Sequence, residues 1–567
     1  MERDIKVSSV NGCSRSGKKE EDYRRGKKKM KIRIKNREDT QIICEEKQTI
    51  LEALLKAGIY LPALCAGRGS CGKCKVKILE GRISYAGMDP QCDVEKKEAQ
   101  NGALLEEGGY LACKTYARSD IVLELLQADE QEILVEGVKA SSAADRQEKL
   151  FLAVDIGTTT IAMALVGETS GEVKDSFAAL NRQRMHGADV ISRISAANNG
   201  LLSELHKLIG EDLEQGIRKL TQDGRIAVTK LIVAANTTMV HLFMGYSCES
   251  LGRHPFFSEH LGWIKTFFGE IKKETIVPQL PVIVLPGISA FVGSDITSDL
   301  LICPGFEEEG VSLLLDMGTN GEMVIGNKDR LIATSTAAGP AFEGGNITCG
   351  TGSIPGAINQ VKILNRRAVI GTIAGKQPPV GICGTGIIEA IAELKKNRLM
   401  GTDGALKPPY DGSGFLLWAA HTGEKVAIYQ QDIRQLQLAK GAIRAGMEQL
   451  MEAFGCKPGE VDKVYLAGGF GTKLPIEAAI EIGLFPTEFR GKIESIGNGA
   501  LQGAIAFGIN LKANEAMGQG VGQGENDPLV SPEKEKRLKE LKGRVEGLNL
   551  ALAEGFEERY LKHLDFV

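Results

Sequence analysis

The fold of the larger part of this chain is decided by the segment FLAVDIGTTT at residues 151–160. An apolar strand there ends in Asp155 and runs directly into a turn of glycine and threonine, and the segment VSLLLDMGTNGE at residues 311–322 repeats this order around Asp316. Such a turn offers backbone amides and hydroxyls to phosphate oxygens, while the carboxylate reaches Mg²⁺ directly or through water. We therefore assign Asp155 and Asp316 to Mg²⁺ and its water shell, and the turn residues to the phosphates of a nucleotide: Gly157, Thr158, Thr159, Gly318, Thr319 and Asn320.

A third motif, VYLAGGFG at residues 464–471, again ends a strand in a glycine turn, which would lie against an adenosine. We assign Gly468, Gly469 and Phe470 to the adenosine, and Asp295 is a candidate for positioning the hydrolytic water. Each motif alone could be an ordinary strand-to-helix turn that uses glycine, whereas all three in this order favour a nucleotide site. The pattern G-x-x-x-x-G-K-[ST] of P-loop enzymes does not occur.

The order of the motifs resembles that of the actin, sugar-kinase and heat-shock-chaperone superfamily of ATPases, which carries phosphate-one, phosphate-two and adenosine motifs on two lobes. The resemblance implies a two-lobed actin-like (ribonuclease H-like) ATPase of the α/β class. Residues 286–295 and 496–500 fall where the helices that connect the two lobes of that superfamily would lie.

Four cysteines upstream have the spacing of a metal site. The segment LCAGRGSCGKC at residues 64–74 contains Cys65, Cys71 and Cys74, and Cys113 follows in YLAC at residues 110–113. An iron–sulfur cluster needs four thiolates at one point, and glycines between the cysteines allow a tight loop. Structural zinc more often uses two CxxC or CxxH pairs, so the single pair favours iron–sulfur. Cys92 is the rival fourth ligand, and we prefer Cys113 because its neighbours are apolar.

These cysteines resemble those of the adrenodoxin-like branch of the 2Fe-2S ferredoxins, which has the same C-x5-C-x2-C loop and a late cysteine after Leu-Ala. The resemblance covers about residues 30–125. It implies a β-grasp ferredoxin-like domain of the α+β class that binds a 2Fe-2S cluster through Cys65, Cys71, Cys74 and Cys113.

The chain as a whole is therefore expected to be multidomain. A charged, polar start without apolar periodicity predicts a disordered tail, a polar and alanine-rich stretch suits a linker, and a glycine-rich run near the end is typical of a flexible joint. The expected order is a tail at residues 1–29, a 2Fe-2S ferredoxin-type domain at 30–125, a linker at 126–148, a first ATPase lobe at 149–310, a second lobe with the adenosine motif at 311–515, and a joint with C-terminal helices at 516–567.

Composition narrows the function classes. The net charge of −4 at pH 7 gives no electrostatic case for nucleic acid or an anionic membrane as a partner. No apolar stretch reaches the roughly 18 residues of a membrane span, and the N-terminus lacks the apolar core of a secretory signal. Twelve cysteines in 567 residues are too dilute for a disulfide scaffold. We expect a cytoplasmic protein.

The combination of ferredoxin and ATPase, from about residue 30 to the end, resembles the reductive activators of corrinoid-dependent methyltransferases. Further segments that carry this resemblance lie at residues 181–194, 235–239, 339–344 and 556–560. It implies a partner, a corrinoid methyl-carrier protein whose cobalt is occasionally oxidised from cobalt(I) to inactive cobalt(II). The activator would return one electron from the cluster, with ATP supplying the energy difference. An upstream donor such as a reduced ferredoxin or flavoprotein is implied, and a homodimer is possible.

Two other functions stay open at this point. The ATPase-like half could bind nucleotide only as a docking switch, which would make the chain an electron-transfer module without turnover, or it could be a small-molecule kinase with a regulatory cluster. Within the first lobe, the spacing of Asp189 and Arg193 favours an ion pair on one helix face.

Overall fold

The computed structural model describes residues 29–36, 40–57, 59, 61, 74–85, 109–126, 148–187, 189–375, 378–421, 423–469, 471–509 and 531–566. The chain divides into two compact units, Met1–Glu130 and Gln131–Val567. Almost all of the expected tail at residues 1–29 and linker at 126–148, and the joint at 516–530, lie outside the described residues.

The first unit is built on a five-stranded sheet in the order β2-β1-β7-β3-β5, beside a two-stranded ribbon of β4 and β6. Its first and last strands pair in parallel at the centre, with Ile32 opposite Ile121, while the other pairs are antiparallel. This is the β-grasp arrangement that the sequence predicts. Its elements are β1 (Lys29–Ile34), β2 (Thr40–Glu45), α1 (Ile50–Lys56), β3 (Lys75–Glu80), β4 (Ile83–Tyr85), β5 (Gly109–Leu111), β6 (Thr115–Ala117) and β7 (Ile121–Leu125).

Local sequence explains the start of α1. The amide of Thr49 donates to the Glu52 carboxylate at 2.7 Å, and the amide of Glu52 donates to the Thr49 hydroxyl at 3.2 Å, which together form a capping box. Strand β1 alternates exposed and buried residues along its length, and the buried side chains of Ile32, Leu54 and Leu123 pack in one core. One face of β1 therefore lies in the core of the first unit.

The second unit contains two six-stranded sheets, in the orders β10-β9-β8-β11-β13-β12 and β23-β22-β14-β15-β16-β24. Its strands are β8 (Leu150–Ile156), β9 (Thr160–Gly167), β10 (Val173–Leu180), β11 (Val228–Ala235), β12 (Ile264–Phe267), β13 (Pro281–Val284), β14 (Val311–Met317), β15 (Gly321–Gly326), β16 (Leu331–Thr336), β17 (Ala357–Leu364), β18 (Arg367–Thr372), β19 (Gly381–Ile382), β20 (Phe415–Ala419), β21 (Lys425–Ile428), β22 (Val461–Ala467), β23 (Ile493–Gly497) and β24 (Val545–Gly547).

The two sheets share one topology. In each, three consecutive strands form an antiparallel meander, β8-β9-β10 or β14-β15-β16, and a later strand then pairs in parallel with the first of the three. The first lobe is the part built on β8, and the second is the part built on β14. This repeat is the two-lobed actin-like fold, and it puts the two Asp-Gly-Thr turns at the carboxyl ends of equivalent strands.

Helices cover both sheets. They are α2 (Val190–Ala196), α3 (Leu202–Leu220), α4 (Thr237–Met244), α5 (Phe268–Ile271), α6 (Ser294–Leu301), α7 (Gly384–Lys396), α8 (Tyr410–Ser413), α9 (Gln430–Phe454), α10 (Ile476–Glu481), α11 (Gly499–Gly508), α12 (Pro532–Gly543) and α13 (Phe556–Lys562). None of these helices of the described chain is long and apolar enough to cross a membrane.

Two helices, which we call the exchanged helices, each pack on the sheet of the other lobe. Helix α6 lies in the sequence range expected for the first lobe, yet Ile296 packs in a core with Leu314 of the second sheet. Helix α11 lies in the range expected for the second lobe, yet Leu501 packs in a core with Phe151 of the first sheet. The segments 286–295 and 496–500, which the sequence places between the lobes, lead into these two helices.

The exchanged helices touch backbone to backbone. A Cβ added to Gly503 of α11 would lie 2.0 Å from the carbonyl oxygen of Ser298 in α6, so only glycine fits. The Ser298 hydroxyl donates to the carbonyl oxygen of Ala500 at 2.7 Å. A small residue on one helix and a hydroxyl on the other therefore fix where the helices cross.

The C-terminal region adds to both lobes. Leu538 of α12 packs in the core that contains α11, and Leu541 packs in the core that contains α6. Strand β24 extends the second sheet in parallel with β16, with Glu546 opposite Ile332. One short helix thus contacts both sides of the crossing.

The close crossing generates a stability prediction. We expect Gly503→Ala to lower the free energy of unfolding by about 1–3 kcal/mol, because the new methyl group meets backbone that cannot turn aside. Urea unfolding followed by circular dichroism measures the change.

The matched control is Gly543→Ala in α12, where no atom lies within 4 Å of the added Cβ. This variant should be as stable as the wild type or more stable by up to about 1 kcal/mol, since alanine is the better helix former. Equal stability of the two variants would contradict the backbone contact.

Candidate functional site

Two of the four predicted cluster ligands belong to the described part of the first unit. Cys74 directly precedes β3, and Cys113 lies in the short turn Ala112–Lys114 that follows β5. The amide of Ala112 donates to the carbonyl oxygen of Cys74 at 2.7 Å, since β3 and β5 are antiparallel neighbours. Both cysteine side chains are buried. The sheet therefore brings together two thiols that are 39 positions apart in the sequence.

The charges of both thiols act on Tyr85. Burial raises the pKa of the Tyr85 hydroxyl, and the negative charges of Cys113 and Cys74 in their thiolate forms raise it further. Cys65, Cys71 and the rival ligand Cys92 lie outside the described residues. Buried thiols that converge in an apolar core have the donor chemistry of an iron–sulfur cluster. The residues present fit that group.

The first Asp-Gly-Thr turn, in the second unit, is held tightly. The amide of Gly157 donates to the carbonyl oxygen of Thr160 at 2.9 Å, and a Cβ on Gly157 would lie 2.6 Å from that oxygen. The side-chain amide of Asn236 donates to the Thr158 hydroxyl at 3.0 Å. Because Thr158 accepts this bond, its own hydroxyl hydrogen stays available for a ligand oxygen.

The second turn has a comparable build. The amide of Gly318 donates to the carbonyl oxygen of Asn320 at 2.9 Å, and the Thr319 hydroxyl donates to the Glu343 carboxylate at 3.2 Å. The amide of Gly339 donates to the carbonyl oxygen of Thr319 at 2.9 Å. Burial raises the pKa of Glu343, and the Arg184 guanidinium partly offsets this shift.

The third motif lies directly against the second. Gly468 has a φ of +87°, and a Cβ there would meet a carboxylate oxygen of Asp316 at 2.7 Å. Its amide donates to the carbonyl oxygen of Gly497 at 2.9 Å. Gly469 follows at the surface, and Phe470 lies outside the described residues. The turn assigned to adenosine and the carboxylate assigned to Mg²⁺ thus belong to one site.

Asn498 joins the two lobes at this site. Its side-chain oxygen accepts a hydrogen bond from the amide of Leu501 at 2.8 Å and caps α11, while its side-chain nitrogen donates to the Asp155 carboxylate at 2.9 Å. The sequence assigned Asn498 only to a connecting helix. The available signal was an asparagine between a strand and an apolar helix, which predicts a cap but not the second partner.

The three predicted carboxylates come together at the crossing. Burial raises the pKa of Asp155 to about 7 and that of Asp316 to about 8, and the charge of Asp295 adds to both shifts. Burial also raises the pKa of Asp295 to about 6. Buried like charges stabilise the protonated forms of one another, so the pocket favours a cation.

Two further acids that the sequence did not assign lie in the same place. Asp299 is fully buried, and its carboxylate oxygens have no hydrogen-bond partner within the described residues. Burial is the largest cause that raises the pKa of Asp299, and the negative charges of four neighbouring acids raise it further: Asp316, Asp295, Asp155 and Glu322. Glu322 stands opposite Asp316 across β14 and β15. The missed signal for Asp299 was its position one helical turn after Asp295 in α6.

A divalent cation would relieve the repulsion among these acids, and oxygen ligands are what Mg²⁺ prefers. The carboxylates therefore fit Mg²⁺ in their chemistry. In the described chain, no group of three or more such side chains already has the geometry of a metal site.

Asp189 and Arg193 take different roles in the structure instead of forming a simple surface pair. Asp189 caps α2 by accepting a hydrogen bond from the amide of Ser192 at 2.8 Å. Arg193 is fully buried and donates to the backbone carbonyls of Gly187 and Thr158.

Comparison with known proteins gives the family. Residues 150–306 match the model of the RACo middle region, and residues 310–521 match the model of the C-terminal domain of RACo, the ASKHA domain. Together these two models cover more than half of the chain. The chain belongs to the RACo family. Residues 34–118 match the 2Fe-2S iron-sulfur cluster binding domain.

Relatives of this RACo chain extend over most of its length. The corrinoid activation enzyme RamQ of Eubacterium limosum is 28% identical, with 83% of this chain and 91% of that protein covered. The [Co(II) methylated amine-specific corrinoid protein] reductase of Methanosarcina barkeri is 26% identical, with 62% and 68% covered. A solved structure of a reductive activator for corrinoid, iron-sulfur protein has a TM-score of 0.63 at 26% identity and covers 95% of this chain and 98% of that chain.

The family and the fold predicted from the sequence are confirmed by these matches. The roles of individual site residues stay predictions, which the geometry above supports by bringing Asp155, Asp295, Asp316 and Gly468 into one place.

The buried pair Cys74 and Cys113 generates a prediction for the cluster. We expect Cys113→Ser to lose the visible absorbance and the two irons per chain of the anaerobically purified protein, because one thiolate of four is removed. Iron analysis and the visible spectrum measure the loss.

The matched control is Cys92→Ser, which should keep both. If Cys92→Ser lost the cluster and Cys113→Ser kept it, the fourth ligand would be Cys92. Stoichiometric zinc in the wild type, without visible absorbance, would rule out an iron–sulfur site.

Proposed function

We propose that this RACo chain is an ATP-dependent reductive activator, which transfers one electron from a 2Fe-2S cluster to the inactive cobalt(II) state of a corrinoid methyl-carrier protein and so restores cobalt(I). One observation carries the proposal: a single chain of this family contains both a site of buried thiols and a cleft lined by carboxylates and Gly-Thr turns. By their names, RamQ is an enzyme of corrinoid activation, and the Methanosarcina barkeri protein reduces a Co(II) corrinoid protein.

The first unit would supply the electron. Cys65, Cys71, Cys74 and Cys113 would hold the cluster, which accepts and donates one electron at a time. The pair that the structure describes is buried, and burial limits side reactions of a reduced site with water. Tyr85 would form one wall of this site.

The second unit would supply the energy. A cobalt centre about 100–200 mV below the cluster makes electron transfer unfavourable by about 2–5 kcal/mol, since about 59 mV is a factor of ten for one electron. Asp155 and Asp316 would organise Mg²⁺, and the two Gly-Thr turns would bind the phosphates. Asp295 would position the attacking water, and Gly468, Gly469 and Phe470 would contact the adenosine.

The two lobes would couple nucleotide binding to a change of shape. Asp155 extends from the first sheet and Asp316 from the second, so a Mg·ATP complex bound to both would draw the two lobes together. Asn498, which bonds to Asp155 from the start of α11, would follow that movement. Closure of two lobes around a ligand is a common way to convert binding energy into a change of shape.

The partners follow from the same proposal. The corrinoid protein is the electron acceptor, and a reduced ferredoxin or flavoprotein is the proposed upstream donor. A homodimer is proposed as the form in solution.

A single substitution tests the nucleotide site. We expect Asp316→Asn to abolish ATP-dependent cobalt(II) reduction, because the carboxylate assigned to Mg²⁺ is lost, while the visible spectrum of the cluster is unchanged. The variant should unfold at the same or a higher temperature without nucleotide. Burial raises the Asp316 pKa to about 8, so its ionised form weakens the folded state increasingly as the pH rises from its unfolded pKa toward 8.

The control is Asp329→Asn, on an exposed loop of the same lobe, which should keep full activity. Full ATP-dependent reduction by Asp316→Asn would overturn this assignment.

A second measurement separates the alternative functions, namely phosphate release with and without a cobalt(II) corrinoid protein. A docking switch would bind nucleotide without releasing phosphate. A kinase would consume ATP with a small substrate whether or not the cluster is present.

A further inference from the structure

A buried arginine lies behind the first phosphate turn. Arg193 of α2 is fully buried. Its Nε donates to the carbonyl oxygen of Gly187 at 2.9 Å, and one terminal nitrogen donates to the carbonyl oxygen of Thr158. The other terminal nitrogen lies 3.3 Å from the side-chain oxygen of Gln183 and 3.3 Å from the sulfur of Met239.

Three consecutive backbone carbonyls of the turn accept hydrogen bonds from Asn181 and Arg193. Asn181 donates its side-chain nitrogen to the carbonyl oxygen of Gly157 and its backbone amide to that of Thr159, each at 3.0 Å. Arg193 takes the carbonyl between them, that of Thr158. In a planar trans peptide the carbonyl and the following N–H point in opposite directions. Holding three consecutive carbonyls therefore turns the next three amides away from Arg193 and Asn181.

Within the described residues, no carboxylate is hydrogen-bonded to Arg193, and its partners are uncharged. The two acids whose charges act on Arg193 are Asp189 and Asp212, and both accept hydrogen bonds from other groups. Asp189 caps α2, and Asp212 accepts a hydrogen bond from the amide of Arg182 at 3.1 Å. Burial of a guanidinium without a bonded carboxylate is costly, so the site gains when an anion binds in front of the turn.

We propose that Arg193 is a positioning residue for nucleotide binding. Its guanidinium group holds the carbonyl of Thr158 and thereby orients the amides of the first phosphate turn toward the cleft. It also supplies a positive charge on the far side of the turn from the polyphosphate. This inference deepens the ATP site of the proposed function. It assigns Arg193 specificity for the phosphate part of the ligand and none for the adenosine part.

The test measures binding to the full-length, cluster-containing protein by isothermal titration, with Mg·ATP and with adenosine, in the absence of corrinoid protein and reductant. Arg193→Met should weaken Mg·ATP binding about ten- to hundredfold, as expected for lost hydrogen bonds from a charged donor. Adenosine binding should change by less than about threefold. The control Arg218→Met, a half-exposed arginine of α3 paired with Glu214, should bind both ligands as the wild type does.

The outcomes separate cleanly. If Arg193→Met binds Mg·ATP as tightly as the wild type, or loses ATP and adenosine to the same degree, the positioning role is overturned while the proposed function stands. If the wild type binds no Mg·ATP, both are overturned.

Arg193→Lys provides a second test if the methionine variant does not fold, because lysine keeps the charge but lacks the planar fork. About tenfold weaker Mg·ATP binding with unchanged adenosine binding supports the proposal. Wild-type affinity for Mg·ATP in Arg193→Lys contradicts it.

Discussion

The contact between Gly503 of α11 and the carbonyl oxygen of Ser298 in α6 is the constraint on which the second unit depends. It sets how closely the two exchanged helices approach. Because α6 packs on the sheet of the second lobe and α11 on that of the first, this distance also sets how the two Asp-Gly-Thr turns face one another. A helix pair with ordinary side chains at the crossing would hold the lobes apart and separate the halves of the site.

The crossing also explains the electrostatics of the site. Asp295 and Asp299 lie on consecutive turns of α6 and are joined there by Asp155 and Asp316 from the two sheets. Nothing in the hydrogen bonding of the described residues compensates Asp299. A folded protein tolerates such repulsion only where something else offsets it, and functional sites are where this trade is usual. The same acids that destabilise the folded protein by their mutual repulsion favour a cation in the cleft.

Opposite signs of charge flank the first phosphate turn. The buried carboxylates lie toward the crossing, and the buried guanidinium of Arg193 lies on the side of α2. A ligand that combines a divalent cation with a polyphosphate matches both. Asn181 and Asn236, which are neutral, hold the turn without disturbing this balance. The geometry of the turn and its charge environment therefore come from different residues.

The fold class, the family and the motif residues can be read from the chain before it folds, because each depends on short-range patterns: the spacing of Cys65, Cys71 and Cys74, the strand that carries Asp155, and its repeat at Asp316. The surroundings of Asn498, Asp299 and Arg193 are visible only in the folded protein. Asn498 bonds to Asp155, which lies 343 positions away in the sequence. Asp189 and Arg193 have the spacing of an ion pair, but in the folded protein each forms hydrogen bonds with other groups. Local pattern records which residues share a helix face or a turn, whereas the partner that a buried polar group finds depends on which distant segments the packing brings to it.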